Sequence, residues 1–527
     1  MTNNKETGSY YTPHELIEFM VNYLKKNNQC FESVLEPSAG DGRFLSMLSP
    51  ESEKIKAIEL FEEKVLDIQK RFNFPNLKIE KANFLDYAEK NKEKYSLIIG
   101  NPPYINPKNM AKEDIEKGKA LCKMESLEVS AMQNMWLAFV VGASRLVMEN
   151  GTIFFVLPME FLQVQYAEKL RIYLENKFNI IHIISFETAI FPEIEQDVCL
   201  VYMTNRKENP PYILYEIYNS PLCETPSYSN VIKKNKPLKK WSNAILSDED
   251  IALLKDKSNQ YKIVKELGIS APGIVTGSNK YFILKEEQVK MYRCEEYVLP
   301  ILQKNSYVSE NTILIDDKLF DDIKKKRRPL FLLNLSGVHK EDMPEKLWEY
   351  LEWAKKQKVG DTELIKRYKC ANRKPWYAVP IVNKGEVVFF KRYHLVPRVY
   401  INYADIHTTD AGYHIRLDEK WNKESVVFCF YNSLTLAQCE FQGRYYGGGV
   451  SELVPSEFKE LPIPYYEIEK KDIEKLDEMF RNKVNLDKIV AFVNERTIQR
   501  DMDDKDIENI ENIRKKLIRR RCGDRNQ

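Results

Sequence analysis

The sequence lacks several features that would place it in other protein classes. None of its nine cysteines forms a Cys-x-x-Cys pair, and its six histidines form no cluster with the spacing of metal ligands. Scattered cysteines favour reduced thiols in the cytoplasm over a disulfide framework, and we expect no metal site. The sequence has no run of about 18 uncharged apolar residues and no apolar signal-peptide core after Met1, so we expect neither a membrane span nor secretion.

The sequence also has almost no net charge. Its 80 basic and 78 acidic residues leave a formal charge of +2, so a nucleic-acid-binding protein of this composition must segregate its charges. With 527 residues, of which 43% are hydrophobic, the chain is typical of a globular protein of two or three domains.

The first 205 or so residues alternate between helix-length and strand-length segments. Residues 14–26 show helical spacing, with Thr12 as the expected cap and Pro13 at the first helical position. Residues 132–148 predict another helix, ended by Asn150-Gly151. Short apolar runs near residues 34, 57, 98, 154 and 182 predict a parallel sheet, with residues 198–203 as an antiparallel partner. The proline-rich residues 206–260 resemble a connector.

A glycine-rich turn lies between the first predicted strand and the next helix. Glu36 is followed by Gly40 and Gly42, and glycine permits a tight reversal that a ligand can approach closely. Glu59 ends the next predicted strand, 17 residues after Gly42, where a carboxylate can accept hydrogen bonds from ribose hydroxyls. The arrangement indicates a nucleotide-like ligand, although a plain turn and a solvated carboxylate explain the same residues.

Asn101-Pro102-Pro103-Tyr104 directly follows another predicted strand. Its prolines stop strand and helix and stiffen the loop at the sheet edge where ligands bind. An amino group on an aromatic ring is a poor nucleophile because its lone pair is delocalised. Two acceptors, the Asn101 side-chain oxygen and the Pro102 carbonyl, favour a pyramidal nitrogen, and Tyr104 can stack on the ring. The motif predicts methylation of a planar amino group, whether of adenine, cytosine or a glutamine amide.

Together these segments resemble the gamma-class N6-adenine DNA methyltransferases of restriction–modification systems. The resemblance covers about residues 7–204 and includes Thr7-Gly8-Ser9-Tyr10-Tyr11-Thr12-Pro13, whose place before the glycine-rich turn marks the gamma order. It implies an α/β fold, with a Rossmann-like class I methyltransferase domain over residues 1–245. A C-terminal mixed α+β target-recognition domain would span residues 246–466, and a charged helical region residues 467–527.

The resemblance also implies roles for single residues. Those bordering S-adenosylmethionine would be Tyr11, Thr12, Pro13, Glu36, Gly40, Gly42, Glu59, Asn83 and Phe84. Glu36 would meet the amino group of the cofactor, Glu59 its ribose, and Asn83 with Phe84 its adenine. The family commonly has Asp at the position of Asn83, but an amide oxygen can accept the same hydrogen bond.

The catalytic residues implied by the resemblance are Asn101, Pro102, Tyr104 and Phe191. Phe191, within Ala189-Ile190-Phe191-Pro192, would supply a second aromatic ring beside Tyr104 for an adenine rotated out of the duplex. Unstacking the base costs a few kcal/mol, which stacking on these rings partly offsets. A core phenylalanine explains Phe191 equally well.

The C-terminal half interleaves basic and aromatic residues, a composition that suits phosphate contacts and base readout. The candidates for contact with double-stranded DNA are Lys280, Arg373, Lys374, Trp376, Arg392 and Arg444. Taken singly, each of these residues is also consistent with a solvent-exposed surface patch that binds no DNA. The basic stretch 514–521 fits either phosphate contact or a charged helix end. A restriction endonuclease encoded separately is the expected protein partner.

Three other functions compete with DNA adenine methylation. The same four-residue motif occurs in enzymes that methylate a glutamine amide in protein, and in relatives that act on RNA, but these generally lack a long recognition region. A DNA-binding specificity module with an inactive methyltransferase half is disfavoured by the intact motif. In a fused restriction–modification enzyme we would expect a nuclease domain upstream, and the motifs here begin at residue 7.

Overall fold

A computed structural model of the chain describes residues 11–29, 31–129, 132–191, 197–308, 311–446 and 449–522. Thr7 to Tyr10 of the N-terminal motif, Pro192, and Gly447-Gly448 lie outside these residues. Contacts divide the chain into two compact units. The first extends to residue 249 and includes residues 444–449 and the chain from residue 519, whereas the second comprises residues 250–443 and 450–518. The boundaries at 245 and 466 remain predictions.

The first unit is a sheet flanked by helices. Its helices are α1 (His14–Lys26), α2 (Arg43–Leu48), α3 (Glu62–Arg71), α4 (Phe84–Lys90), α5 (Lys112–Met124), α6 (Met135–Leu146) and α7 (Glu168–Lys177). Its strands are β1 (Ser33–Glu36), β2 (Lys54–Glu59), β3 (Leu77–Lys81), β4 (Tyr95–Gly100), β5 (Val147–Pro158), β6 (Ile180–Phe186), β7 (Val198–Thr204), β8 (Tyr212–Tyr218) and β9 (Tyr228–Lys233).

The nine strands form one sheet in the order β3-β2-β1-β4-β5-β7-β6-β8-β9. Strands β1 to β5 pair in parallel, and β7 lies antiparallel between β5 and β6. The predicted parallel sheet with an antiparallel partner at residues 198–203 is therefore confirmed. Every residue of β4 and β7 is buried, which is typical of central strands covered on both faces.

The helix predicted over residues 132–148 is confirmed with shorter bounds, whereas the expected connector at residues 206–260 is wrong. Helix α6 covers only Met135–Leu146, because Val147 already adopts extended geometry and pairs with Tyr95. The expected connector instead contains β8, parallel to β6, and β9. The prolines of this segment lie outside the two strands, so they do not prevent the chain from extending the sheet.

The second unit begins within α8 and contains short elements. Its helices are α8 (Asp248–Ser258), α9 (Val264–Leu267), α10 (Asn279–Phe282), α11 (Glu286–Tyr292), α12 (Asp317–Lys325), α13 (Glu345–Ala354), α14 (Tyr368–Ala371), α15 (Lys423–Phe430), α16 (Ser433–Gln442), α17 (Pro455–Phe458), α18 (Lys470–Arg481), α19 (Leu486–Arg496) and α20 (Asp504–Cys522), the last residues of which belong to the first unit.

The strands of this part of the chain are mostly two to five residues long. They are β10 (Lys262–Ile263), β11 (Gly268–Pro272), β12 (Ile283–Leu284), β13 (Val298–Leu302), β14 (Leu314–Ile315), β15 (Phe331–Leu333), β16 (Lys358–Val359), β17 (Thr362–Glu363), β18 (Val387–Phe390), β19 (Arg392–Tyr393), β20 (Arg398–Asn402), β21 (His407–Thr408), β22 (Gly412–Leu417), β23 (Arg444–Tyr446, in the first unit), β24 (Val450–Glu452) and β25 (Pro462–Ile463).

Two sheets organise the second unit, in the orders β11-β22-β18-β20-β14 and β12-β15-β13-β21. Phe389 of the first sheet packs face to face on Phe458, with ring centroids 4.3 Å apart. Helices α18 and α19 contribute Leu476 and Val493 to the same core. The charged helices after residue 467 are thus amphipathic elements of a packed unit. Among the described residues, no helix is long and apolar enough to cross a membrane.

A buried polar network lies between α1 and the sheet of the first unit. The Tyr23 hydroxyl lies 2.8 Å from both Glu216 Oε2 and His182 Nδ1. Because its single hydrogen is donated to Glu216, His182 must donate from Nδ1 to the hydroxyl oxygen. Burial lowers the pKa of His182 from 6.5 to about 4, so the ring stays neutral in the folded protein at neutral pH.

Within this network, His182 should lower stability as the pH falls, whereas Glu216, whose pKa burial raises, acts in the opposite direction. The pKa of His182 is about 4 in the folded protein and 6.5 in the unfolded chain. As the pH falls below 6.5, His182 is therefore protonated in the unfolded chain before it is protonated in the folded protein, which favours unfolding. We expect His182 to contribute a loss on the order of 2 kcal/mol between pH 7 and 5. In His182→Asn, thermal unfolding should depend less on pH than in wild type. The exposed His14→Asn should keep the wild-type dependence, and equal slopes for both variants would contradict the prediction.

Candidate active site

The turn after β1 owes its shape to two glycines. Gly40 and Gly42 have φ angles of +60° and +77°, the left-handed region that favours glycine. A Cβ atom at Gly42 would lie 2.9 Å from the Phe72 ring, so a larger residue there would be both strained and crowded. The amide of Gly42 donates to the Ala39 carbonyl at 2.7 Å and closes the turn.

Glu36, the last residue of β1, places a carboxyl group under this turn. The side chain is 1% exposed, and its Oε2 has no hydrogen-bond partner among the described residues. Burial, followed by the nearby carboxylates of Asp41 and Glu59, raises the pKa of Glu36 well above its ordinary value. A buried acceptor without a partner is costly, and a positively charged donor from a ligand would offset that cost.

Glu59 ties the end of β2 to the glycine-rich turn. Its Oε2 accepts from the Gly40 amide at 2.8 Å, and its Oε1 accepts from the Phe61 amide at 3.0 Å. Each carboxylate oxygen can accept a further hydrogen bond, so the proposed contact with ribose hydroxyls stays compatible with these two. The side chain therefore fixes the loop as well as offering acceptors.

The described part of the N-terminal motif lies over the same turn. The Tyr11 ring is next to Gly40, with the Arg43 guanidinium 5.4 Å from its centroid. Thr12 is not the helix cap that the sequence predicted, because Pro13 occupies the cap position of α1. The Thr12 hydroxyl instead accepts from Asn101 Nδ2 at 3.3 Å.

Asn101 follows β4 and is held from two directions. Its side chain donates to Thr12, and its backbone carbonyl accepts from Ser38 Oγ at 3.1 Å. Ser38 belongs to the glycine-rich turn, so two segments that are 63 residues apart meet here. Pro102, the next residue, is buried. The amide nitrogen of Asn101 thus points to Thr12, which leaves Oδ1 as the group directed elsewhere.

Tyr104 and Phe191 pack, partly buried, against the same core. Both contact the cluster that contains Phe154, Val156 and Leu200. The Tyr104 hydroxyl donates to the Val156 carbonyl at 3.0 Å, which fixes the ring plane. Burial raises the pKa of Tyr104 well above its ordinary value, so the phenol stays protonated. The two rings that the sequence proposed for a flipped base therefore pack against one core cluster of the first unit.

Asn83 and Phe84 start α4 directly after β3. Asn83 is the N-cap residue, since its side chain accepts from the Leu85 amide at 2.9 Å. Phe84 is 3% exposed and packs against Phe139 of α6, with ring centroids 4.8 Å apart. Both residues thus have local structural roles alongside the predicted contact with adenine.

One residue near the loop escaped the sequence analysis. Asn134 is 5% exposed, and its Oδ1 has no hydrogen-bond partner among the described residues. The next amide, that of Met135, donates to the Ile105 carbonyl at 3.1 Å, which places the start of α6 against the chain after Tyr104. A single asparagine in an apolar segment carries no pattern that could have identified it.

In the second unit, two predicted DNA-binding segments meet. The Arg373 guanidinium donates to the carbonyls of Thr276 and Val275, both at 2.7 Å. It also lies 5.9 Å from the Phe282 ring centroid, and Phe282 contacts Trp376. Arg373 and Trp376 therefore shape this loop, whereas Lys280 and Lys374 are exposed.

Of the other two candidates, Arg392 forms an ion pair within the protein, and Arg444 lies in a strand of the first unit. Arg392 is exposed but pairs with Glu452 at 3.1 Å. Arg444 lies in β23, where the adjacent Tyr445 is 4% exposed and its amide donates to Gln163 Oε1 at 3.1 Å. All six residues remain predicted DNA contacts, and for Arg373, Trp376 and Arg392 the structure adds a second role.

The basic end of the chain is turned inward. In the first unit, Arg520 is 7% exposed and donates to the Ser242 carbonyl and to Asn243 Oδ1, both at 2.8 Å. In the second unit, Arg514 is 2% exposed and pairs with Asp487 at 2.7 Å. Of the two readings left open by the sequence, the structure favours a charged helix end that stabilises the fold.

The comparisons with known proteins agree with this architecture. A family model described as Eco57I restriction-modification methylase matches residues 23–191, and one described as type II methyltransferase M.Eco57I, C-terminal domain, matches residues 238–498. Type II methyltransferase M.AccI of Acinetobacter calcoaceticus is 26% identical over 491 residues, which cover 87% of this chain and 85% of that protein. M.HincII of Haemophilus influenzae is 26% identical over 198 residues, 37% of this chain and 36% of that protein.

Among solved structures, the Type IIL restriction-modification enzyme MmeI in complex with DNA is similar with a TM-score of 0.60. The alignment has 12% identity and covers 98% of this chain and 79% of that one, so it bears on the fold alone.

The strand order and the glycine-rich turn define the first unit as a class I S-adenosylmethionine-dependent methyltransferase fold, as the sequence predicted. The two family models together account for most of both units. Over residues 23–191 and 238–498 the chain is similar to the Eco57I-type restriction–modification methylases.

The residues around the turn fit S-adenosylmethionine, the cofactor of this class. The open acceptor of Glu36 matches an ammonium group, and the acceptors of Glu59 match hydroxyl donors. Tyr11 and Thr12 would border the methionine part, with Gly40 leaving its backbone accessible.

Glu36→Gln should separate cofactor affinity from stability. Losing a hydrogen bond to a charged group costs about 1.5–3 kcal/mol, so we expect affinity for S-adenosylmethionine to fall by one to two orders of magnitude. The melting temperature should stay equal or rise, because a buried carboxyl without a partner is removed. Calorimetric titration and thermal unfolding measure the two effects, with the exposed Glu63→Gln as control. Unchanged affinity would remove Glu36 from the cofactor site.

Proposed function

We propose that this protein transfers a methyl group from S-adenosylmethionine to N6 of an adenine rotated out of double-stranded DNA. It would act in the cytoplasm as the modification enzyme of a restriction–modification system. The observation that carries this proposal is the position of Asn101, held by Thr12 and Ser38 beside the glycine-rich turn.

The chemistry needs acceptors more than it needs a base. When bound, the cofactor supplies an electrophilic methyl carbon on a sulfonium, whose sulfur leaves as a neutral thioether. Asn101 Oδ1 and the Pro102 carbonyl would accept hydrogen bonds from the two N–H groups of the amine and direct its lone pair outward, and the methylated nitrogen would then release one proton to solvent. The Asn101 amide nitrogen donates to the Thr12 hydroxyl, so the Asn101 side-chain oxygen is already oriented to accept a hydrogen bond from the amine. Catalysis would arise mainly from positioning.

Two rings support an extrahelical base as the substrate. Tyr104 is anchored through its hydroxyl on Val156, so its ring can stack without reordering, and Phe191 contacts the same core. A glutamine side chain has no ring on which Tyr104 and Phe191 could stack, so two aromatic rings favour a base over a glutamine amide. Similarity to restriction–modification methylases over residues 23–191 and 238–498 also supports DNA as the substrate.

Asn101→Ala should abolish transfer and keep cofactor binding. We expect the rate of methyl transfer to fall by about a hundredfold or more, as when a preorganised polar group is removed from a reacting centre. Incorporation of tritiated methyl groups into unmodified genomic DNA measures the rate, and titration with S-adenosylhomocysteine measures binding.

The exposed Asn106 of the same loop provides the matched control, because its side chain makes no capping hydrogen bond. Asn106→Ala should transfer at the wild-type rate. A wild-type rate in Asn101→Ala would remove Asn101 from the mechanism.

The modified base should be N6-methyladenine in DNA. Digestion of the labelled DNA and chromatography of the nucleosides identify the base, and single-molecule sequencing of a host that expresses the protein gives the sequence context. Label found in N4-methylcytosine, RNA or protein instead of N6-methyladenine would overturn the proposal.

A further inference from the structure

The side-chain amide of Asn83 has a fixed orientation. Its Oδ1 accepts from the Leu85 amide at 2.9 Å, and its Nδ2 donates to Asp114 Oδ1 at 2.8 Å. The oxygen and nitrogen of an amide are nearly equal in size, so only their partners decide which way the group faces. A backbone N–H can only donate and a carboxylate can only accept, so both partners select the same orientation.

Asp114 is placed for this contact by the first turn of α5. Among the described residues it forms no ion pair, because the neighbouring cation, Lys117, pairs with Asp86 at 2.8 Å and with Glu113 at 2.7 Å. The contact of Asp114 is therefore with the Asn83 amide, 31 residues earlier in the chain. About one turn after Asp114 in α5, Lys117 pairs with Asp86 of α4, and this ion pair holds the two helices side by side.

We infer that Asp114 is a positioning residue that makes Asn83 a hydrogen-bond acceptor for the amino group of the cofactor's adenine. This inference rests on the proposed function, in which Asn83 faces that ring. One lone pair of Asn83 Oδ1 is used by Leu85, and the second is available for the amine. A carboxylate at position 83 would need no such partner, since both of its oxygens accept.

The arrangement determines which purine is bound. Hypoxanthine carries a carbonyl where adenine carries its amino group, so its oxygen would face the Asn83 oxygen and leave two acceptors without a donor. Such a mismatch costs about 1–3 kcal/mol, roughly a ten- to hundredfold difference in affinity. If the Asn83 amide could rotate, its nitrogen would pair with hypoxanthine and the preference would shrink.

The test compares binding of S-adenosylhomocysteine and S-inosylhomocysteine to the full-length protein by calorimetric titration. Wild type should prefer the adenosyl compound by roughly ten- to a hundredfold. In Asp114→Asn the preference should fall by several-fold, because an amide at 114 can donate as well as accept and leaves the Leu85 amide as the only one of the two partners that selects the orientation of Asn83. Glu113→Gln, which removes the same charge from the adjacent residue, should keep the wild-type preference.

The double variant Asn83→Asp with Asp114→Asn should restore the preference. There the carboxylate at 83 accepts from Leu85, from the amide at 114 and from the adenine. A merely structural effect of Asp114→Asn would lower affinity for both compounds equally and leave their ratio unchanged, which would overturn the inference. A reduced ratio that the double variant fails to restore would also overturn it. Wild-type protein that binds neither compound would instead overturn the proposed function, and the inference with it.

Discussion

The site depends on the parallel pairing of β1 with β4. Val34 pairs with Leu97 and Leu35 with Ile98, so the two strands end at the same edge of the sheet. Ser38, just after β1, can therefore donate to the Asn101 carbonyl just after β4. Since every residue of β4 is buried, a slip of one residue would force all its side chains to repack. Strand register brings the turn and the motif loop together, and the hydrogen bonds with Ser38 and Thr12 then hold Asn101.

Around this pairing, a small number of polar groups are kept in apolar surroundings. Glu36, Thr12 and Glu59 are all 5% exposed or less. Hydrogen bonds in such a setting are stronger than in water, and unpaired groups are more costly. Thr12 and Glu59 are paired inside the protein, whereas Glu36 keeps an open acceptor. The hydrogen bonds of Thr12 and Glu59 thus fix the two loops, and a ligand donor would satisfy the open acceptor of Glu36.

Hydrophobic spacing predicted α1 and the parallel strands because burial decides those elements. It did not predict β8 and β9, because β9 pairs with β8 and β8 with β6, a distant contact that the local sequence of this proline-rich segment does not encode. The role of Thr12 was also missed: its partner Asn101 is 89 residues away, and a local cap is what Thr before Pro ordinarily suggests. The candidate residues were found through motifs, but their partners, such as Asp114 for Asn83, depend on the tertiary fold.

The basic end of the chain shows why charge alone does not locate a DNA-binding surface. Arg514 is buried and pairs with the Asp487 carboxylate, and Arg520 is buried and donates to the Ser242 carbonyl and Asn243 Oδ1, so neither guanidinium is placed to contact phosphates. With a net charge of only +2, each cation used internally leaves fewer for an external partner. The predicted contacts with phosphates would then fall to cations that remain exposed, such as Lys280 and Lys374 near the loop shaped by Arg373. In that arrangement arginine builds the loop and lysine faces the solvent, a division consistent with the rigid guanidinium fork of arginine and the flexible ammonium of lysine.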